Sequence, residues 1–151
     1  MTAHGLPDAA ELARRLCGRK LPGGEFVIPE SEVPLVRELV GSDSVQPHPI
    51  FACIGSLRTL GLSIGDLCAL CDFDLADGPL LGEFEVELED AFRAGVRYVV
   101  SGEIESFERV SSRRLGQVDR LCFRVNLATP DGAAVARARY LWLLPRGRSV
   151  A

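Results

Sequence analysis

The chain of 151 residues has few of the features that mark several large protein classes. No stretch carries the roughly 20 consecutive apolar residues that a membrane-spanning helix needs. Residues 1–16 lack the basic start and apolar run of a secretory leader. Cysteine is scarce and odd in number, at five, which favours reduced thiols over a disulfide framework. We therefore predict a cytoplasmic protein that does not enter a membrane.

Basic side chains and histidines are also few. The 17 basic residues are outnumbered by 21 acidic ones, and a net charge of -4 argues against a nucleic-acid partner. The chain has two histidines, His4 and His48, and no glycine-rich phosphate loop. Cys68 and Cys71 have the spacing of half a metal site, but no second Cys/His pair accompanies them. We expect core thiols here, and predict neither a metal nor a cofactor.

Charge is distributed unevenly along the chain. Residues 82–110 contain eight acidic side chains against three basic ones, whereas residues 111–151 contain eight arginines against two acidic residues. Such a distribution predicts strand surfaces on which the arginines pair with the acidic strands before them. The alternative is a basic rim for a phosphate-bearing ligand or for an acidic carrier protein.

The length suits one globular domain, because a chain of this size can bury most of its apolar surface in a single core. We predict an N-terminal extension over residues 1–24, which contains a short helix over 8–17. The domain then occupies residues 25–146, beginning with a strand over 25–28, and residues 147–151 form a tail.

Three helices are expected early in this domain. Ser31 can cap a helix that runs through Val40 and stops at Gly41. Residues 50–62 have apolar side chains at helical spacing and only one charge, which predicts a helix buried on most sides. Ser63 and Asp66 then resemble the cap of another short helix.

From Gly82 onward the apolar period changes to two, which indicates strands with one buried face and one exposed face. The expected strands cover residues 82–89, 96–109, 117–128 and 133–144. Helices followed by antiparallel strands indicate an α+β domain in which the sheet wraps around the buried helix of residues 50–62.

Several of these segments resemble a known family. They are the Pro47–Phe51 stretch that opens the buried helix, residues 82–95, residues 98–106, and the closing hairpin of residues 131–140. Together they resemble the MaoC-like dehydratases of the hot-dog fold over about residues 25–145. The likeness is greatest to the N-terminal, FAS1-like branch, which includes the substrate-holding subunits of mycobacterial (3R)-hydroxyacyl-ACP dehydratases.

The resemblance implies a lyase of fatty acid metabolism that adds or removes water on an acyl thioester carried by coenzyme A or an acyl carrier protein. It also implies a homodimer, or a heterodimer with another hot-dog chain. Catalytic members carry Asp-x-Asn-Pro-x-His. Asp43 and His48 have the same separation here, although Val45 and Gln46 replace the Asn and the first Pro. His48 also directly precedes the buried helix, whereas the family separates the two.

Two interpretations of this pair follow. Asp43 and His48 act as acid and base, or Asp43 shapes a loop while His48 packs at a helix start. The family's chemistry further implies that N–H groups at the helix start polarise the thioester oxygen, which here means Ala52, Cys53 and Gly55.

Arg113 and Arg114 lie in the loop between the two long strands. In this fold that loop is near the mouth of the acyl tunnel. We predict that both arginines contact the 3'-phosphate of coenzyme A or the acidic helices of a carrier protein.

Three functions therefore compete: an active (R)-specific enoyl-CoA hydratase or dehydratase, a non-catalytic acyl-binding partner of a catalytic chain, and a hot-dog acyl-CoA thioesterase. The thioesterase would need Asp43 as its carboxylate. Ser56 is a possible nucleophile, but its helical context favours packing between helix and sheet.

Overall fold

A computed structural model describes residues 5–147 of the chain. Within these residues the elements are, in order, α1 Ala9–Leu16, β1 Lys20–Val27, α2 Glu32–Val40, α3 Phe51–Arg58, α4 Ile64–Leu70, a 3₁₀ turn Leu75–Asp77, β2 Leu80–Leu88, β3 Arg97–Ser112, β4 Gly116–Ala128 and β5 Ala134–Pro145. None of the described helices is both long and apolar enough to cross a membrane.

The five strands form one antiparallel sheet in the order β1-β3-β4-β5-β2, with β1 and β2 at its edges. Buried and partly exposed side chains alternate along most of β4, as expected for a strand with one inward face. The inward side chains Leu121, Phe123, Val125 and Leu127 are fully buried. The α+β architecture and this inward face are confirmed.

Helix α3 packs on the inner face of the sheet. A Cβ atom on Gly55 would lie 2.6 Å from the Phe26 ring and 3.1 Å from Leu127, so only glycine permits this close approach. α3 ends at Arg58 and is shorter than the predicted helix of residues 50–62. The chain after it is held against β1, since the Gly23 N–H donates to the Leu60 carbonyl at 2.7 Å and Gly61 has a φ of 86°.

The segment before residue 25 packs on the same core. Asp8 caps α1 by accepting from the Ala10 N–H at 2.8 Å, and α1 buries Leu12 and Leu16. β1 begins at Lys20, five residues before the start of the predicted strand. Residues 1–4, including His4, and residues 148–151 of the predicted tail lie outside the described residues.

Arginines on the outer face of the sheet pair with glutamates of neighbouring strands, as the charge distribution predicts. The shortest distances are Arg120–Glu108 at 2.8 Å, Arg124–Glu105 at 3.2 Å, Arg137–Glu87 at 3.3 Å and Arg139–Glu105 at 2.8 Å. Each of these partly exposed pairs contributes about 0 to 1 kcal/mol.

A buried ionic cluster fastens the end of the sheet to α4. The fully buried Asp119 accepts from Arg109 Nε at 2.6 Å and from Arg146 Nε at 2.7 Å. Arg146 also donates to the carbonyls of Cys71 and Asp72, both at 2.5 Å. The cluster thus ties β3, β4 and the end of β5 to the C-terminal end of α4.

Candidate functional site

His48 lies two residues before Ile50, the N-cap residue of α3. Its half-buried ring accepts a hydrogen bond at Nδ1 from the Ile50 N–H, at 3.0 Å. In the neutral imidazole this bond places the proton on Nε2, because one ring nitrogen accepts while the other donates. In this arrangement Nε2 is a hydrogen-bond donor and is not available as a base.

Asp43 lies in an exposed loop. Within residues 5–147 its carboxylate makes no hydrogen bond or ion pair with His48. The loop is shaped instead by short-range bonds from backbone to side chain, in which Ser44 N–H donates to Ser42 Oγ at 3.2 Å and Gln46 N–H donates to Ser44 Oγ at 3.3 Å. The structure therefore does not join Asp43 and His48 into an acid and base pair.

The backbone donors at the start of α3 are already paired. The Ala52 N–H donates to the Pro49 carbonyl and the Cys53 N–H to the Ile50 carbonyl, each at 2.9 Å. Gly55, the third predicted oxyanion residue, is buried at the contact between α3 and the sheet. A thioester oxygen would have to displace one of these bonds to reach the helix start.

An apolar cavity of about 290 Å³ opens between α3 and β5 and lies against β2. Its lining residues come from α3, the start of α4, the segment entering β2, and β5: Cys53, Leu57, Ile64, Pro79, Leu80, Leu81, Tyr140 and Trp142. Trp142 is the chain's only tryptophan. Apolar walls with few polar groups suit a hydrocarbon chain.

A buried hydrogen bond adjoins this cavity and joins the hydroxyls of Ser56 and Tyr140. Ser56 also donates to the Cys53 carbonyl at 3.1 Å. Tyr140 stacks on Phe123 with ring centroids 4.7 Å apart, and burial raises its pKa. Ser56 is fully buried at this contact between helix and sheet, which is the location that its sequence context favours.

Sequence reasoning identified β5 as a strand but missed the contribution of Tyr140 and Trp142 to a cavity. The signal available was two large aromatic side chains with the same period-two phase in a strand, which places them on the same face of the sheet.

Arg113 and Arg114 are exposed on the tight turn of the β3–β4 hairpin. The segment after α3 lies against the first half of β3, where a Cβ on Gly102 would meet the Leu60 side chain at 3.0 Å. From Gly102 to Ser112 the strand runs for about 30 Å. The structure thus separates the hairpin arginines from the segment that follows α3.

A second cavity, of about 430 Å³, lies beside the loop that carries His48. Its walls come from α2 and from residues 45–47 and 91–94, and they include Glu30, Arg37 and Arg93. The Nε atom of Arg37 is buried and has no hydrogen-bond partner within residues 5–147. Neither arginine forms an ion pair with any described residue. Sequence reasoning missed this pair, since the two residues lie 56 positions apart.

Cys68 and Cys71 are both buried in the core. Burial raises the pKa of Cys68 and raises the pKa of Cys71 to about 12. The described residues contain no group of three or more side chains that could hold a metal ion. The location of the two thiols agrees with the predicted packing role.

Comparison with known proteins gives matches in structure. No model of a protein family matches the chain, and no curated protein matches it in sequence. The HadBC complex, a (3R)-hydroxyacyl-ACP dehydratase from Mycobacterium tuberculosis, is similar with a TM-score of 0.63 and 15% identity, covering 85% of this chain and 96% of that chain.

Two further structures are similar. A MaoC-like dehydratase from Phytophthora capsici gives a TM-score of 0.69 at 11% identity over 95% of this chain and 52% of that chain, so this chain spans about half its length. The fluoroacetyl-CoA-specific thioesterase FlK gives 0.56 at 18% identity, over 86% and 95% of the two chains. The chain is thus similar in structure to MaoC-like dehydratases and has the hot-dog fold that the sequence predicts.

Proposed function

We propose that this chain is the acyl-binding, non-catalytic subunit of a hot-dog dehydratase that acts on 3-hydroxyacyl thioesters of coenzyme A or an acyl carrier protein. The observation that carries the proposal is the bond from the Ile50 N–H to His48 Nδ1, which engages the imidazole away from the Asp43 carboxylate and next to a helix that also lines an apolar cavity. This chain then holds the acyl tail, and a partner hot-dog chain supplies the acid and the base.

Dehydration needs one group that removes the proton next to the thioester carbonyl and one that protonates the departing hydroxyl. His48 is the only histidine among residues 5–147, and its Nε2 carries the proton while Nδ1 accepts from the Ile50 N–H. Asp43 is exposed to solvent and is not joined to that imidazole. The likeness to the HadBC complex supports an arrangement in which a second chain provides the chemistry.

The cavity supports the choice of ligand. Each methylene group that leaves water for an apolar site contributes about 0.8 kcal/mol, so affinity should rise about fourfold per carbon until the cavity is full. Trp142 lies in the cavity wall, and its emission therefore reports occupancy directly.

The test is a fluorescence titration of the purified chain with saturated acyl-CoA thioesters of increasing length. We expect Trp142 emission to change, affinity to rise with acyl length, and free coenzyme A to have no effect. Leu80→Glu, at the cavity mouth, should weaken binding of the longest thioester at least tenfold. Leu39→Glu, which adds the same charge on exposed α2, is the matched control. Affinity that does not depend on acyl length would overturn the proposal.

A second assay separates the three functions. The chain alone is incubated with crotonyl-CoA and a long-chain enoyl-CoA, and hydration and thiol release are followed in the same tube. We expect neither reaction. Hydration that Asp43→Asn or His48→Ala abolishes would identify an active hydratase, and thiol release that depends on Asp43 would identify a thioesterase.

A further inference from the structure

Arg37 is a partly buried arginine to which the described chain offers no counter-charge. Of the described arginines that lack an ion pair, it is the only one that is not exposed. Its Nε atom is buried and has no hydrogen-bond partner within residues 5–147. A buried donor on a charged group is costly when it stays unpaired, so this position calls for an acceptor that residues 5–147 do not supply.

One other arginine of the described residues, Arg124, has a buried Nε without a partner, but its charge is compensated. Its Nη1 atom lies 3.2 Å from a carboxylate oxygen of Glu105. Arg37 has no such compensation, because Glu32, the acid in the first turn of α2, is bound by Arg58 at 3.1 Å. The guanidinium of Arg37 is therefore free for a ligand.

A second arginine, Arg93, lines the same cavity of about 430 Å³ from the loop between β2 and β3. Its backbone is fixed, because the Arg93 N–H donates to the Tyr98 hydroxyl at 2.8 Å and the buried rings of Tyr98 and Phe92 pack edge to face, with centroids 5.4 Å apart. Asp90, in the same loop, accepts from the Ala91 N–H at 2.8 Å and forms no ion pair with Arg93. The loop thus holds Arg93 at the cavity on a fixed backbone.

The rest of the cavity lining is mostly apolar and includes Val33, Phe92 and Ala94. Glu30 is the one acid in the lining; it is exposed and forms no ion pair with either arginine. Guanidiniums bind phosphate and carboxylate oxygens through paired N–H groups, and apolar walls cover the remainder of a ligand. This lining therefore suits an organic anion. It shares no residue with the apolar cavity beside Trp142.

The two guanidiniums favour phosphate over carboxylate. A phosphate monoester has three acceptor oxygens and carries about two negative charges at pH 7, so it can accept from both arginines at once. A carboxylate has two oxygens and a single charge.

We propose that Arg37 and Arg93 form a binding site for the phosphate monoester group of an organic ligand, whose remaining part lies against the apolar wall of the cavity. The inference goes beyond the proposed function, because this cavity is separate from the acyl cavity and the ligand needs no acyl chain. Two sources can supply the group: a thioester carrier that bears a phosphate monoester, and a free organic phosphate.

The first test is a nuclear magnetic resonance titration of the ¹⁵N-labelled full chain with phenyl phosphate, which joins a phosphate monoester to a small apolar body. We expect the Arg37 Nε–H signal, identified by its absence in Arg37→Lys, to shift and to saturate. Phenol, which has the ring alone, should leave this signal unchanged. Benzoate should bind at least about tenfold more weakly. A signal that phenyl phosphate does not shift, or benzoate that binds as tightly, would overturn the proposal.

The second test measures the affinity for phenyl phosphate by calorimetry in three variants. Arg37→Lys keeps the charge but lacks the Nε donor and the planar fork, and it should weaken binding at least about tenfold. Arg93→Ala should also weaken binding at least about tenfold, and added salt should weaken binding to the wild type. The matched control is Arg19→Ala, an exposed arginine without an ion pair at the other end of β1, which should change the affinity less than about twofold.

Equal losses of affinity in Arg37→Lys and Arg19→Ala would overturn the proposal. If Arg37→Lys does not fold, Arg93→Ala replaces it, because the Arg93 side chain is exposed. Unchanged affinity in Arg93→Ala would then overturn the proposal.

Competition distinguishes the two sources of the phosphate. Coenzyme A carries a 3'-phosphate monoester, which dephospho-coenzyme A lacks. Displacement of phenyl phosphate by coenzyme A alone identifies the thioester carrier, and displacement by neither compound identifies a free organic phosphate. Phenyl phosphate has no acyl chain. Failure of these tests therefore refutes the phosphate site alone, while the acyl titration tests the proposed function.

Discussion

Ser56 of α3 and Tyr140 of β5 share a hydroxyl–hydroxyl hydrogen bond at the contact between helix and sheet. Ser56 has a second partner, the Cys53 carbonyl at 3.1 Å, whereas Tyr140 Oη reaches that carbonyl only at 3.5 Å. Without Tyr140, the Ser56 hydroxyl therefore keeps a hydrogen-bond partner. Without Ser56, the Tyr140 hydroxyl has no good one.

This asymmetry predicts unequal costs. Ser56→Ala leaves the Tyr140 hydroxyl buried without a good partner and should lower the free energy of unfolding by about 1 to 3 kcal/mol, whereas Tyr140→Phe should cost only about 0.5 to 1.5 kcal/mol. The double variant should cost less than the sum of the single variants. Urea unfolding measures all three, with Ser106→Ala on the outer face of β3 as the neutral control. Additive costs would contradict the shared bond.

The Asp119 cluster predicts a much larger loss of stability. Asp119→Asn keeps the shape of the side chain but leaves the guanidiniums of Arg109 and Arg146 without their buried counter-charge. We expect a loss of about 3 to 5 kcal/mol in urea unfolding. Glu108→Gln, which removes the exposed pair with Arg120, should change stability by about 1 kcal/mol or less. Equal losses of stability in Asp119→Asn and Glu108→Gln would show that burial does not determine the strength of these ion pairs.

The core cysteines should be inert. Thiol reagents attack the thiolate, and burial raises the pKa of Cys71 to about 12, so this group stays protonated at pH 8 and becomes a thiolate only as the pH approaches that value. An aromatic disulfide reagent at pH 8 should modify the exposed Cys17 rapidly, and Cys68 and Cys71 only after unfolding. Cys17→Ser should remove one thiol from the fast phase, to which the partly exposed Cys53 and Cys122 also contribute. Fast modification of Cys71 in the folded protein would instead indicate a reactive site.

Local signals in the sequence predicted much of the fold. The capping box of Ser63 and Asp66 and the left-handed Gly41 after α2 occur where expected, because a cap depends on residues within one turn. The start of β1 was missed, since Pro22 and the glycines after it read as a turn. In the structure they form a bulge in an edge strand, where proline is tolerated.

The candidate site was less predictable. The apolar cavity combines Cys53 and Trp142, which lie 89 positions apart, and no short-range pattern records that they meet. The Asp43 and His48 spacing matched a motif, but the bond from the Ile50 N–H that engages the imidazole depends on where α3 begins. Spacing along the chain thus predicted which residues are candidates for a site. The packing of the helix on the sheet determines which of their side chains come into contact.

The structural role of the His48 imidazole can be separated from catalysis. His48→Asn offers a side-chain oxygen to the Ile50 N–H in place of Nδ1, whereas His48→Ala offers nothing. Loss of one hydrogen bond of this kind costs about 1 kcal/mol, so His48→Ala should destabilise by about that amount and His48→Asn should retain most of the stability. Urea unfolding checks this, and both variants should keep the Trp142 response to acyl-CoA. Equal destabilisation by both variants would contradict a stabilising bond between the Ile50 N–H and His48.

Two arginine pairs compete for the phosphates of a thioester carrier. Sequence reasoning favours Arg113 and Arg114, which are exposed on the far hairpin. The partly buried Arg37 and the exposed Arg93 instead line a cavity beside the His48 loop. Charge-assisted bonds are stronger where solvent is excluded, and the Nε donor of Arg37 is buried without an acceptor among the described residues. We expect Arg37→Ala with Arg93→Ala to weaken acyl-CoA binding about tenfold or more, and less at high salt. The double variant Arg113→Ala with Arg114→Ala removes the same charge. It should change the affinity for acyl-CoA less than twofold. The Trp142 titration measures the affinity of both double variants. A larger loss of affinity in the Arg113 and Arg114 variant would favour the hairpin pair.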